Sequence, residues 1–117
     1  MKDLNINTCP CSGYNLSKFV QPSILLILNR QPLTRYNIIK ELPSIPFFKK
    51  SIPDVAGIYR SINLLENNEL IICLDNCKNN SKYHITTKGK YCLEKWKKTL
   101  ITYNEEIRDF LKMLEYT

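Results

Sequence analysis

The sequence lacks the motifs on which most enzyme classes depend. It has only three glycines and one histidine, and it contains no glycine-rich phosphate loop, no His-Glu-x-x-His motif and no paired-carboxylate signature. The single histidine, His84, falls in a predicted strand, where catalysis would need a nucleophile and an orienting group that we do not find. We therefore expect His84 to be an ordinary surface residue and the chain not to be an enzyme.

Long hydrophobic runs are also missing. Apolar runs such as Ile24–Leu28 reach five residues, whereas a membrane-spanning helix needs about 18. The opening residues, Met1–Asn5, lack the apolar region of a secretory signal peptide. We expect a cytoplasmic protein with no membrane partner.

The net charge of +6 is unevenly distributed along the chain. Residues 17–92 carry eleven basic and five acidic residues, which accounts for the whole excess, whereas residues 1–16 and 93–117 are each neutral. Such a basic excess is compatible with a nucleic-acid partner. The pattern indicates a basic module joined to a neutral one.

Five cysteines are many for a chain of this length, and their odd number argues against a fully paired disulfide framework. Cys9 and Cys11 are separated by one residue, and Cys73 and Cys77 by three, so the four thiols are the candidate ligands for zinc or another thiophilic metal. A thiol sensor of oxidants or metals is a second hypothesis. In a third, Cys73 and Cys92 are simply buried apolar side chains. No cofactor is certain from these spacings.

The spacing of apolar residues predicts three short helices, a hairpin and a long helix. The predicted elements are a helix from about residue 21, helices over 34–42 and from Ser51 or Asp54 to 67, strands over 70–74 and 83–86, and a helix from Thr87 onward. This order predicts a mainly α fold with a small β-hairpin, a winged helix-turn-helix. We divide the chain into an arm over 1–15, a winged helix-turn-helix domain over 16–87 and a C-terminal helix over 88–117.

Two of these helices have an apolar face that should meet the core. In the second helix the face comprises Tyr36, Ile38, Ile39 and Leu42, and in the third it comprises Val55, Ile58, Tyr59, Ile62 and Leu65. Thr34 is the expected N-cap of the second helix.

The C-terminal helix carries a seam of apolar residues with alternating spacings of three and four. The seam consists of Leu93, Trp96, Leu100, Tyr103, Ile107, Phe110 and Leu114. About 28 residues form a rod of roughly 42 Å, which a core of this size cannot cover. We expect the seam to form a homodimer interface.

Three stretches resemble the PadR family of transcription regulators. They are Pro22–Leu42, Pro53–Ile71 and Tyr83–Leu93, reading PSILLILNRQPLTRYNIIKEL, PDVAGIYRSINLLENNELI and YHITTKGKYCL, and the Cys-Pro-Cys lead-in is similar to that of some PadR-like regulators. The resemblance implies a homodimeric winged-helix repressor that binds a palindromic double-stranded DNA operator and is released by a small effector. Two glycines usual in the family are replaced, one by Arg35 and one by Asn68-Glu69. Because Asn tolerates the left-handed conformation, Asn68 is expected to end the third helix.

The third helix is the expected recognition helix, because polar side chains near its N-terminus can reach base edges in the major groove. The candidate DNA-contacting residues are Thr34, Arg35, Tyr36, Lys49, Lys50, Asp54, Gly57, Tyr59, Arg60, Asn63, Lys78, Lys82 and Lys88. Tyr59 resembles a family tyrosine whose hydroxyl would reach a phosphate, and the alternative is that it packs in the core.

The resemblance also implies a site for a flat aromatic effector near the dimer helices. Its candidate residues are Trp96, Tyr103, Phe19 and Tyr14. Trp96 has packing at the seam as its alternative role. Two further functions stay open, a metal- or redox-responsive regulator of the same fold and a winged-helix module for protein–protein interaction.

Overall fold

The computed structural model describes residues 17–74 and 80–116. The helices are α1 (Val20–Arg30), α2 (Arg35–Glu41), α3 (Val55–Asn67) and α4 (Thr87–Glu115), and the strands are β1 (Ile71–Cys73) and β2 (Tyr83–Ile85). Short 3-10 turns cover Ser17–Phe19, Leu42–Ser44 and Pro46–Phe48. The mainly α fold with a small hairpin, in the order of a winged helix, is confirmed. No helix within the described ranges is both long and apolar enough to cross a bilayer.

Side-chain caps fix where α2 and α3 begin. The Thr34 hydroxyl accepts a hydrogen bond from the Asn37 amide at 3.2 Å, as expected of an N-cap. The Asp54 carboxylate accepts one from the Gly57 amide at 3.2 Å. Of the two residues proposed to start the third helix, Asp54 is therefore the one that does so.

The core lies where α1, α2 and α3 meet. Its fully buried aliphatic side chains include Ile24, Leu25, Ile38, Leu42, Ile58, Ile62 and Leu65. The predicted apolar faces were too wide, because Tyr36, Val55 and Tyr59 are exposed. The reason is that short helices meet along a narrow line, so side chains beside that line stay in solvent.

The segment between α2 and α3 was predicted to be a loop, and it contributes to the core. Its two 3-10 turns direct Ile45 and Phe48 inward, and both are buried. The backbone amide of Phe48 donates to the carbonyl of Ile45 at 2.9 Å. Prolines at the start of both turns break the α-helical pattern without preventing burial.

The third helix ends at Asn67 with Asn68 as its C-cap, as predicted, but the left-handed residue lies one position later than expected. Asn68 has φ −88°, and Glu69 has φ 62°, so Glu69 is the residue in the left-handed conformation. The Leu70 amide donates to the Leu65 carbonyl, and the Glu69 amide donates to that of Glu66. These two bonds form a Schellman motif, which requires positive φ one residue after the C-cap.

The hairpin pairs β1 with β2 in antiparallel fashion. Ile71 lies opposite Ile85, Ile72 opposite His84, and Cys73 opposite Tyr83. His84 is half-buried at the surface of this hairpin. The far edge of β2 is also paired, because Tyr83 and Leu33 exchange two backbone hydrogen bonds of 2.8 and 3.3 Å. The wing is therefore tied to the segment that precedes α2.

A tight junction joins β2 to α4. The one hydrogen of the Thr86 hydroxyl is shared between the backbone carbonyls of Glu69 and Leu70, at 2.7 and 3.0 Å, and the hydroxyl oxygen accepts from the Gly89 amide at 3.0 Å. A Cβ on Gly89 would lie 2.1 Å from the Leu70 carbonyl oxygen. Only glycine allows the first turn of α4 to pack this closely against the chain before β1.

Candidate DNA-binding surface and effector cavity

The outer face of α3 carries three polar side chains that sequence reasoning assigned to DNA contact. Tyr59, Arg60 and Asn63 are all exposed, whereas Ile58 and Ile62 face the core. Positions three or four apart lie on one side of a helix. The face that α3 turns to solvent therefore offers three polar side chains on one side, beside exposed Val55 and Leu64, and such polar side chains can reach base edges in a groove of duplex DNA.

Arg35 reaches across from α2 to this face. Its Nε donates to the Tyr83 hydroxyl at 2.9 Å, and its Nη2 donates to Asn63 Oδ1 at 3.1 Å. The guanidinium also lies over the rings of Tyr59 and Tyr83, 5.7 and 5.6 Å from their centroids. Three predicted contact residues thus form one cluster, together with Tyr83, which the sequence did not single out.

Two other candidate DNA-contact residues have a structural role at the start of α3. Asp54 was proposed to contact DNA, and its carboxylate caps α3. Gly57 was proposed to allow close approach to a phosphate, and a Cβ there would lie 2.6 Å from Asp54 Oδ1. The absence of a Cβ at Gly57 therefore leaves room for the Asp54 cap. Its proposed role in allowing a DNA phosphate to approach stays a prediction. Thr34 likewise caps α2 through its hydroxyl.

The remaining basic candidates surround the winged helix at its surface. Lys49 and Lys50 are exposed in the segment before α3, Lys82 just before β2 and Lys88 in the first turn of α4. Their role as phosphate contacts stays a prediction. Lys78 lies outside the described residues.

An aromatic cluster lies between the first 3-10 turn and α4. The rings of Phe19 and Phe47 stack with centroids 4.1 Å apart and an interplanar angle of 10°. Phe19 also contacts Trp96, with 6.5 Å between the ring centroids. Phe47 was missed because the pattern placed it in an unstructured loop, where spacing gives no information about its partner.

Three of the four predicted effector residues line one cavity beside this cluster. Phe19, Trp96 and Tyr103 contribute aromatic walls to a space of about 220 Å³, which Lys18 and Lys95 also line. Tyr14, the fourth, lies outside the described residues. Three side chains far apart in the chain therefore lie together, and their role in binding an effector stays a prediction.

The apolar seam of α4 divides into two parts. Leu93 packs against the core of its own chain, and Trp96 and Leu100 are half-buried. Beyond them, Tyr103, Ile107, Phe110 and Leu114 are 45 to 59% exposed. The first turns of α4 therefore attach it to the winged helix, and the later turns present an uncovered apolar stripe.

Two of the five cysteines are described. Cys73 in β1 and Cys92 in α4 are partly buried and border the core. Within residues 17–74 and 80–116, no three metal-ligating side chains converge. Cys9, Cys11 and Cys77 lie outside these ranges, so the hypotheses of a metal site and of a thiol sensor stay predictions.

The architecture matches solved structures of transcription regulators. A PadR family transcription regulator from hypervirulent Clostridium difficile R20291 is 19% identical, with a TM-score of 0.67 over 80% of this chain and 98% of that one. A PadR-like transcriptional regulator from Bacillus cereus is 21% identical, with a TM-score of 0.66 over 82% and 94%. A transcriptional regulator from Clostridium thermocellum is 22% identical, with a TM-score of 0.58 over 75% and 89%.

No protein-family model matches the sequence, and no curated protein matches it at a significant level. The structural matches show that the chain has the winged-helix fold of PadR-type regulators.

Proposed function

We propose that the chain is a homodimeric DNA-binding transcription regulator that inserts α3 into the major groove of a palindromic operator. The observation that carries the proposal is the outer face of α3, where Tyr59, Arg60 and Asn63 are exposed on a helix whose opposite face is fully buried. A helix held in this way can enter a groove without losing its support from the core.

Arg60 is the candidate for direct base recognition. It lies in the second turn of α3 and is exposed, and an arginine can donate two parallel hydrogen bonds to guanine O6 and N7. Lys49, Lys50, Lys82 and Lys88 supply charge for the phosphate backbone, which fixes the position of the protein without reading sequence.

A second copy of the chain is the proposed partner of α4. The exposed stripe of Tyr103, Ile107, Phe110 and Leu114 would leave a row of large apolar side chains in water in a monomer. A symmetric dimer covers the stripe with itself and places two α3 helices against two half-sites of one operator. The proposal includes repression of transcription from that operator.

Binding to operator fragments at increasing salt tests the proposal. We expect the logarithm of the binding constant to fall linearly with the logarithm of salt concentration, with a slope of about −0.9 per phosphate contact. Arg60→Ala should weaken operator binding by about 1–3 kcal/mol and relax preference at one base pair. Lys82→Ala, the matched control, should weaken all sequences equally.

Two outcomes would contradict the proposal. If Arg60→Ala binds every DNA as tightly as the wild type, α3 is not the recognition helix. If the wild type binds no duplex in a salt-dependent manner, the winged helix serves instead as a protein-interaction module.

The cavity beside Phe19, Trp96 and Tyr103 favours a second, linked function, release from DNA by a planar aromatic effector. Trp96 is the only tryptophan, so quenching of its fluorescence reports binding of an aromatic probe such as anilinonaphthalene sulfonate. We expect the probe to quench Trp96 and to lower the affinity for DNA. A Phe19→Ala variant, which alters the cavity outside the proposed dimer stripe, should lose both effects, and quenching without any change in DNA affinity would separate the cavity from regulation.

A further inference from the structure

Arg35 occupies a position where the resembling family sequences usually have glycine, so its contacts belong to this chain in particular. It is the first residue of α2, yet its side chain bridges to β2 and α3. A guanidinium has five N–H donors. Two of them are used by Tyr83 and Asn63, which leaves three for an acceptor outside the protein.

Tyr83 is a rigid support for this guanidinium. The residue is 5% exposed, and its backbone is paired with Leu33 on one side of β2 and lies opposite Cys73 on the other. Its ring lies beneath the Arg35 guanidinium, while its hydroxyl accepts the Nε hydrogen at 2.9 Å. The hydroxyl and the ring thus restrict both the position and the plane of the charged group.

Asn63 restricts the Nη2 end of the Arg35 guanidinium. Because a guanidinium only donates hydrogen bonds, Asn63 must turn its oxygen toward Arg35 Nη2, at 3.1 Å. Its amide NH₂ group then faces away from Arg35. Among the described residues no carboxylate pairs with Arg35, so the charge is held in place without being neutralised.

We propose that Tyr83 and Asn63 position Arg35 as a phosphate-binding group for the backbone of duplex DNA. Tyr83 is then a positioning residue, acting on DNA only through Arg35. The inference rests on the proposed function, because it specifies how one contact of the same DNA-binding surface is prepared. A planar, pre-oriented guanidinium loses less conformational freedom on binding phosphate oxygens than a free one.

The test is a double-mutant cycle on DNA affinity. Tyr83→Phe removes only the hydroxyl and keeps the buried ring, and we expect DNA affinity to fall about three- to tenfold with little change in melting temperature. Arg35→Gln should reduce the slope of the salt dependence by about 0.9, the value of one phosphate contact. In the Arg35→Gln background, adding Tyr83→Phe should cause no further loss.

Tyr91→Phe is the matched control, because Tyr91 is exposed on α4 and outside the cluster, and it should bind DNA as the wild type does. If Tyr83→Phe melts at a much lower temperature, Asn63→Ala takes its place and should show the same dependence on Arg35. Unchanged affinity for Tyr83→Phe, or an equal loss in the Arg35→Gln background, would overturn the inference alone. A wild type that binds no duplex overturns the proposed function as well.

Discussion

Large apolar side chains are buried in the winged helix and exposed in the second half of α4. In α3, Ile58 and Ile62 are completely buried, whereas in α4 Ile107 and Phe110 are 57 and 59% exposed. Both helices have regular apolar spacing, so the spacing alone does not distinguish them, although the greater length of α4 does. The two helices differ in whether other elements of the same chain cover their apolar side chains.

The comparison indicates that the two regions are stabilised by different partners. The apolar face of α3 is covered by other elements of the same chain, so the stability of the winged helix should not depend on protein concentration. The exposed stripe of α4 gains its apolar burial only on association, so its contribution should follow mass action. Substitutions of one type at the two sites should therefore act differently.

The largest expected effect is that of Ile62→Ala in the winged helix. Removing three methylene-sized groups from a fully buried site should lower the free energy of unfolding by about 2–5 kcal/mol. Ile107→Ala is the matched variant on the exposed stripe. Ile107→Ala should melt at a lower temperature than the wild type only at protein concentrations at which the wild type is a dimer. The two melting temperatures should become equal on dilution. Equal destabilisation at all concentrations would show that Ile107 packs within its own chain.

A smaller effect is expected at the junction between the two regions. In Gly89→Ala the new methyl group would collide with the Leu70 backbone, which cannot move aside easily, so we expect a loss of about 1–3 kcal/mol. Gly57→Ala is the control, because there the new group meets the end of the Asp54 side chain. Loss of the cap and gain in helix propensity are each about 1 kcal/mol and should nearly cancel. Chemical denaturation of both variants measures the difference, and equal stabilities would contradict it.

The smallest expected effect is a gain. Glu69 holds a left-handed conformation at φ 62°, which is unfavourable for a residue with a Cβ. Glu69→Gly should raise the free energy of unfolding by about 0.5–1 kcal/mol, whereas Asn68→Gly should not, because Asn68 has negative φ. A gain at position 68 and none at 69 would refute the assignment of the cap.

Local patterns determined most of the fold prediction. The caps at Thr34 and Asp54, the hairpin and the long helix from Thr87 all depend on neighbouring residues, and each lies where the sequence indicated. The position of the left-handed residue was wrong because Asn68 and Glu69 are adjacent, and only the hydrogen-bond pattern decides between them.

Contacts between distant segments were the part that the sequence could not supply. The stack of Phe19 on Phe47 and the bond from Arg35 to Tyr83 join residues 28 and 48 positions apart. No periodicity links such positions, because they are brought together by the packing of whole elements. In the cluster around Arg35, the sequence named Arg35, Tyr59 and Asn63 as candidates but not Tyr83, and it did not indicate that these side chains contact one another.

The measurement that tests the central comparison most directly is sedimentation equilibrium of the wild type at micromolar concentration, with Ile107→Asp beside it. We expect the wild type to have twice the mass of one chain. Ile107→Asp places a charge in the exposed stripe and should give a monomer whose winged helix still melts cooperatively. A wild type that sediments as a monomer at this concentration would contradict the account, because the exposed stripe of α4 would then need no second copy.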